Sequence, residues 1–133
     1  MKITLDIDTS VKDVQKQFSD LFPFLQIQFY RMRPDVKSVK VIENEKLKYL
    51  VRHYGGAVLK FSEETTVTDL QRVFEDLGLY VQVFRKFGSF WIATSLTDDW
   101  TLDRQNQEAR LLCTPAENAG ARHVESKNRE VAP

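Results

Sequence analysis

Hydrophobic and polar positions follow the same order twice along the chain. Residues 11–21 read VKDVQKQFSDL and residues 67–77 read VTDLQRVFEDL, with Val, Asp, Gln, Phe, Asp and Leu identical in order. A second match follows at once, because LQIQFYR at 25–31 aligns with LYVQVFR at 79–85. Repetition of a helix pattern, a turn and a strand pattern together predicts an internal duplication, with pseudo-repeats at 1–56 and 57–112.

The first helix of each pseudo-repeat is marked by an apolar stripe and by a hydroxyl at its start. Apolar residues recur at i, i+3, i+7 and i+10 from Val11 and again from Val67, which is the spacing of one helix face. Ser10 and Thr66 stand directly before these stripes, each with an acid three residues on. A hydroxyl in that position caps the first turn, so helices are predicted to begin there.

Strands flank these helices. Residues 25–30 and 79–84 alternate between apolar and polar or aromatic side chains, which predicts strands with one buried face. Turn residues Pro34-Asp35 and Gly88-Ser89 then predict a hairpin in each half. The remaining predicted elements are first strands at Lys2–Ile7 and Val58–Ser62, third strands at 39–42 and 90–93, and second helices at 43–54 and 101–112.

The predicted fold class is α+β. Two βαββα units would form a mainly antiparallel sheet with helices on one face, as a single domain over residues 1–112. From Cys113 to the last residue the chain contains no Ile, Leu or aromatic residue. Because such a segment has little to bury, residues 113–133 are predicted to form a disordered tail.

Charge and cysteine content limit the classes of function. Basic and acidic residues are equal in number, 19 of each, which argues against a dedicated nucleic-acid binder. The single cysteine cannot form an internal disulfide, and no Cys/His spacing typical of a metal site occurs. The sequence shows neither the pattern of a signal peptide nor an apolar run long enough to cross a bilayer. We therefore expect a cytoplasmic protein that has no membrane partner and needs no cofactor.

One group of carboxylates offers a candidate chemical site. Asp98, Asp99 and Asp103 surround Trp100-Thr101, where the last helix is predicted to begin. Such acids could bind a divalent cation or act as an acid/base pair, which would make the protein a metal binder or an enzyme. The competing interpretation is that an Asp or Thr before the helix caps it and that acids in its first turn favour its dipole. We favour capping, and thus a protein that is not an enzyme.

The polar face of the two second strands is the stronger candidate. Aromatic residues there could anchor a protein partner or a second copy of the chain as a homodimer, stack the bases of single-stranded RNA, or simply pack across the strands. Of the two ligand classes, the neutral charge makes nucleic acid unlikely and favours protein. The candidate surface consists of Tyr30, Tyr80, Gln82, Phe84 and Trp91, with Arg31, Arg33 and Arg85 at the hairpins.

The second pseudo-repeat also carries a resemblance. Its segments Phe90-Trp-Ile-Ala, Asp98-Asp-Trp-Thr-Leu and Gln105-Asn-Gln-Glu resemble a family of small bacterial proteins of unknown function. The resemblance covers residues 90–108. It implies no catalytic residue, so the expectation of an interaction module depends on the aromatic surface alone.

Overall fold

The computed structural model describes residues 1–32, 39–52 and 54–113, and within these ranges the chain is α+β. Two short 3-10 turns, at Leu47–Tyr49 and Ser95–Thr97, connect the regular elements. The regular elements are β1 (Lys2–Leu5), α1 (Val11–Leu21), β2 (Leu25–Tyr30), β3 (Ala57–Lys60), α2 (Val67–Glu75), β4 (Tyr80–Phe87), β5 (Phe90–Ala93) and α3 (Leu102–Leu112).

The strands of the described residues form two antiparallel sheets, so the prediction of one sheet is wrong. β1 pairs with β3, while β2, β4 and β5 form a three-stranded sheet in that order. Helix α1 packs against both β1 and β2. In the described residues the first strands of the two halves, β1 and β3, pair only with each other.

The two first helices begin as predicted. The Ser10 hydroxyl accepts from the Asp13 amide, and the Asp13 carboxylate accepts from the Ser10 amide, which completes a capping box. The Thr66 hydroxyl accepts from the Asp69 amide in the same way. The apolar stripes of both helices are buried, since Val11, Val14, Phe18, Val67, Leu70 and Phe74 are all inaccessible to solvent.

The first strands are shorter than predicted because a turn ends each of them. The Thr9 amide donates to the Asp6 carbonyl, and the Asp6 amide donates to the Thr9 hydroxyl. Ser62 and Thr65 make the same two bonds after β3. These turns remove the last residues of the predicted strands from pairing and direct the chain into the helix caps.

The helix predicted at 43–54 is wrong, because in the described residues 39–52 the chain forms only the 3-10 turn. The Val11 amide donates to the Glu45 carbonyl, and the Leu47 amide donates to the Thr9 carbonyl. Lys46 precedes the turn and supplies no side-chain cap. The backbone of this segment is bonded to the start of α1, with a turn at residues 43–44 before Lys46, and the Leu47 side chain is buried.

The corresponding helix of the second half, predicted at 101–112, is confirmed as α3. Its cap is the Thr101 hydroxyl, which accepts from the Arg104 amide. The second hairpin is also confirmed, with β4 and β5 joined by Gly88-Ser89 and Gly88 at φ +62°. The first hairpin's Pro34-Asp35 turn lies outside the described residues, as do residues 114–133 of the predicted tail.

A single apolar core unites both sheets and the helices. The inward residues of β1 and β3 join those of β2 and β4 and the stripes of α1 and α2. Aromatic rings pack at its centre, with Phe29 edge-on to Phe74 at 5.8 Å and Phe18 tilted against Phe22 at 5.5 Å between centroids. None of the helices in the described ranges is long and apolar enough to cross a membrane.

Candidate functional site

The register of β2, β4 and β5 assembles most of the predicted surface on one side of the three-stranded sheet. Tyr30 lies opposite Tyr80, and Trp91 lies opposite Lys86. Side chains alternate along a strand, so directly paired residues share a side. We call this side the outer face; its residues are Gln26, Gln28, Tyr30, Tyr80, Gln82, Phe84, Lys86, Trp91 and Ala93.

The other side, which we call the inner face, belongs to the core. It consists of Leu25, Ile27, Phe29, Val81, Val83, Arg85 and Ile92. Of these, Ile27 and Phe29 on β2 and Val83 on β4 are completely buried. The outer-face aromatics differ, because Tyr30, Tyr80 and Phe84 are half-buried.

Trp91 is the most accessible of the outer-face aromatics that were predicted as anchors. Its side chain is 37% exposed, and the Lys86 ammonium lies 5.1 Å from the centroid of its ring. A cation over an indole is attracted by the ring's negative face, which holds the Trp91 side chain against the sheet. Lys86 follows the alternation of Tyr80, Gln82 and Phe84 along β4, so it lies on the outer face with them.

The glutamines of the outer face are held by hydrogen bonds. Gln82 Nε2 donates to the Val83 carbonyl at 3.0 Å, and Gln28 Nε2 donates to Gln26 Oε1 at 3.0 Å. Gln28 also accepts from Gln15 of α1. These bonds fix polar side chains between the aromatic rings, so the outer face presents ordered amides as well as apolar area.

Tyr30 is placed at the end of the outer face where β2 stops. Burial raises the pKa of its phenol above the usual value. Arg31 follows directly and is exposed, with its guanidinium 4.0 Å from the Glu45 carboxylate. Arg33 lies outside the described residues. One predicted cation is therefore located at this end of the surface.

The prediction that Arg85 belongs to the binding surface is wrong, because Arg85 is buried on the inner face. β4 continues to Phe87, so Arg85 has the alternation of Val81 and Val83 and points to the inner face. Only 5% of its surface is exposed. Its Nη1 donates to Gln105 Oε1 at 3.0 Å and to Thr97 Oγ1 at 3.2 Å. Arg85 therefore joins β4 to α3 and to the 3-10 turn before it.

The surroundings of Arg85 explain why a cation is tolerated there. Its guanidinium carbon lies 5.3 Å from the centroid of the Trp100 ring, over which Arg104 also stacks at 3.7 Å. Burial lowers the pKa of Arg85, and Glu108 opposes that shift. The Nε of Arg85 is buried without an acceptor in the described residues. Arg85 is therefore held inside the chain by packing and hydrogen bonds.

The acidic candidates lie at the start of α3 and directly before it. The Asp98 carbonyl accepts from the amide and the hydroxyl of Thr68, while Asp103 lies in the first turn of α3 and its amide donates to the Glu63 carbonyl. Across the parts of the chain that the structure describes, no three His, Cys, Asp or Glu residues are grouped so as to hold a metal ion.

No family model, curated protein or solved structure matches the chain. Its function therefore has to be argued from its own residues.

Proposed function

We propose that this protein is a protein-interaction module and that the outer face binds its partner. The strand register is the observation that carries the proposal, because it aligns Tyr30, Tyr80, Phe84 and Trp91 across three neighbouring strands. Tyrosine and tryptophan are enriched as anchors of protein interfaces, since each buries a large rigid area and keeps a polar group.

The charges at this surface indicate the chemistry of the partner. Lys86 lies on the outer face and Arg31 at its Tyr30 end, and the outer face itself contains no Asp or Glu. A partner that brings apolar side chains flanked by carboxylates would bury the rings and pair with both cations. We therefore expect an acidic protein segment with apolar anchors, and no chemical reaction at the surface.

We further infer that the helices lie on the inner side of the three-stranded sheet. The ring contact between Phe29 on β2 and Phe74 on α2 supports this for α2. The bond from Arg85 on β4 to Gln105 supports it for α3. With the helices on that side, the outer face would be left to a partner.

We also infer that the two halves arose by duplication. The strand pairs join equivalent residues, since Ile3 pairs with Leu59 and Gln28 pairs with Gln82. Pairing of equivalent residues is what an internal twofold axis requires.

The helix-to-strand hydrogen bonds support the same inference. Gln15 Nε2 donates to the Ile27 carbonyl at 2.9 Å, and Gln71 Nε2 donates to the Val81 carbonyl at 2.9 Å. In the sequence alignment Gln15 matches Gln71 and Ile27 matches Val81. A duplication therefore accounts for the shared framework. The outer-face residues differ between the halves. In the same sequence alignment Tyr30 matches Phe84, and Gln26 matches Tyr80.

As the compartment of this protein we propose the cytoplasm. The supporting feature is the single cysteine, Cys113, which is not disulfide-bonded within the chain. Free thiols persist in reducing compartments.

The test is selection of peptides from a displayed random library on the immobilised full chain. We expect enrichment of acidic peptides with apolar anchors, and a loss of about tenfold or more in affinity for Phe84→Ser and Trp91→Ser. Tyr49→Ser is the matched control, because Tyr49 is 68% exposed and lies outside the three-stranded sheet.

Two outcomes would overturn the proposal. One is enrichment of peptides that bind the Phe84→Ser and Trp91→Ser variants as tightly as the unchanged chain. The other is binding of single-stranded oligouridine, with a strong salt dependence, in place of any peptide.

A further inference from the structure

β5 forms one edge of the three-stranded sheet, and its outward backbone groups can be assigned. The Lys86 amide donates to the Phe24 carbonyl at 3.0 Å, so it points away from β5. Because hydrogen-bonded and non-bonded pairs alternate between antiparallel strands, Lys86 and Trp91 are a non-bonded pair. The N–H and C=O groups of Trp91, and those of Ala93 two residues on, therefore face away from β4.

Side chains or backbone cover other strand edges of the molecule. On the outer edge of β2, Gln15 Nε2 binds the Ile27 carbonyl, and the Val41 amide donates to the Phe29 carbonyl. On β1, Gln17 binds both the amide and the carbonyl of Thr4. No comparable bond reaches Trp91 or Ala93 from any described residue.

The edge of β5 also lacks charge. Residues 88–97 read GSFWIATSLT, which contains no Asp, Glu, Lys, Arg or Pro. By contrast, β3 ends on the exposed Lys60. Charges and prolines are the usual means of keeping an edge strand from pairing with another chain. Phe90 is 68% exposed and Leu96 is 97% exposed beside this edge, so apolar side chains also face solvent there.

We propose that β5 pairs antiparallel with β5 of a second copy of this chain. With Ile92 at the twofold axis, Trp91 of each copy lies opposite Ala93 of the other. The outward N–H and C=O groups of Trp91 then form hydrogen bonds with those of Ala93 in the other copy. A large residue then meets a small one. The two three-stranded sheets become one sheet of six strands.

The uncharged edge is what favours a second copy over another extended segment. In a twofold pairing each copy presents the same segment, residues 88–97, to the other, so a net charge on that segment would repel its copy. None is present. The pairing also brings Phe90 of one copy toward the Leu96 end of the other, which would cover two exposed apolar side chains.

The pairing deepens the proposed function, because a twofold axis normal to the sheet keeps both outer faces on one side. A dimer would therefore present two binding surfaces to the same partner and increase its avidity. The pairing of two chains uses the backbone edge of β5, whereas partner binding uses the side chains of the outer face. An experiment can therefore contradict one proposal and leave the other standing.

The first experiment is sedimentation equilibrium of the full chain over a range of concentrations. We expect a mass that rises to twice the chain mass, and a monomer for Ala93→Pro at concentrations where the unchanged chain is dimeric. Proline removes only the outward amide of Ala93, which is not used in the ladder with β4. Ala93→Thr is the matched control, since it keeps that amide and should keep the dimer.

The second measurement does not depend on a variant. Hydrogen exchange at the amides of Trp91 and Ala93 should slow as the concentration of the unchanged chain rises, while exchange at Thr4, bound to Gln17, should not change. A chain that remains monomeric up to about 1 mM would overturn the pairing. So would a dimer that persists in Ala93→Pro while the Trp91 and Ala93 amides of the unchanged chain stay unprotected. Neither result would affect the selection of peptides on the outer face.

Discussion

The two faces of the three-stranded sheet are built from the same strands and meet different demands. Along β4, Val81 and Val83 are buried in the core, while Tyr80, Gln82 and Phe84, which alternate with them, point the other way. The inner residues are explained by packing against the helices. The outer positions carry aromatic rings that stay half-buried or exposed, and this difference is the basis on which we propose the outer face as the binding surface.

The largest expected effect comes from truncating a phenylalanine on each face. Phe29→Ala empties a fully buried position beside Phe74 and should cost about 3–5 kcal/mol of unfolding free energy. Phe84→Ala removes a half-buried ring and should cost about 1 kcal/mol. Urea denaturation of both variants measures the difference. Equal losses would mean that the outer face is part of the core.

Neighbouring cations on β4 offer the next comparison. Arg85→Ala leaves Gln105 Oε1 without its donor in a buried site and should lose about 2 kcal/mol. Arg85→Met should lose less, because it keeps the packing of the aliphatic stem. Lys86→Ala, the control on the outer face, should lose less, about 0.5–1 kcal/mol, through its contact with Trp91. Thermal unfolding tests all three, and an Arg85→Ala variant as stable as the unchanged chain would show that this buried contact is dispensable.

The contact between Lys86 and Trp91 is expected to be worth less. Lys86→Met removes the charge over the indole and should weaken the positioning of Trp91 by about 0.5–1 kcal/mol. A double-mutant cycle with Trp91→Leu isolates that coupling from the effect of each single change. A coupling energy of zero would mean that Trp91 is held by the strand alone.

Tyr30 should produce the smallest effect, at alkaline pH. Burial raises the pKa of its phenol, so above the ordinary value near 10 the unfolded chain loses that proton before the folded chain does. Stability should therefore fall as the pH rises from the unfolded toward the folded pKa of Tyr30. Tyr30→Phe should remove this part of the pH dependence. If the stability of Tyr30→Phe fell with rising alkaline pH as steeply as that of the unchanged chain, the raised pKa of Tyr30 would not be the cause.

Local patterns predicted the helix caps and the two faces correctly. Ser10, Thr66 and Thr101 all cap helices, and the alternation along residues 25–30 and 79–84 separates core from surface. Arg85 was misassigned because the strand was ended at Phe84. The alternation of Arg85 with Val81 and Val83 indicates that it is buried. The alternation of Lys86 with Tyr80, Gln82 and Phe84 indicates that it lies on the outer face.

Other features depend on contacts between distant residues. The apolar spacing at 43–54 suggests a helix, but the bonds from Val11 and Leu47 hold this segment against the start of α1. The lack of a hydroxyl cap at Lys46 was the available warning. Division into two sheets follows from long-range pairing such as Ile3 with Leu59, which a pattern of alternation does not specify.

The most direct measurement of the outer-face assignment is an NMR titration of the isotope-labelled chain with an acidic peptide selected on it. We predict that the largest shift changes occur at outer-face residues, above all Tyr80, Gln82, Phe84 and the Trp91 indole. The β1–β3 sheet should remain unchanged. Shifts confined to β1, β3 or α3, with the outer face unaffected, would contradict the account.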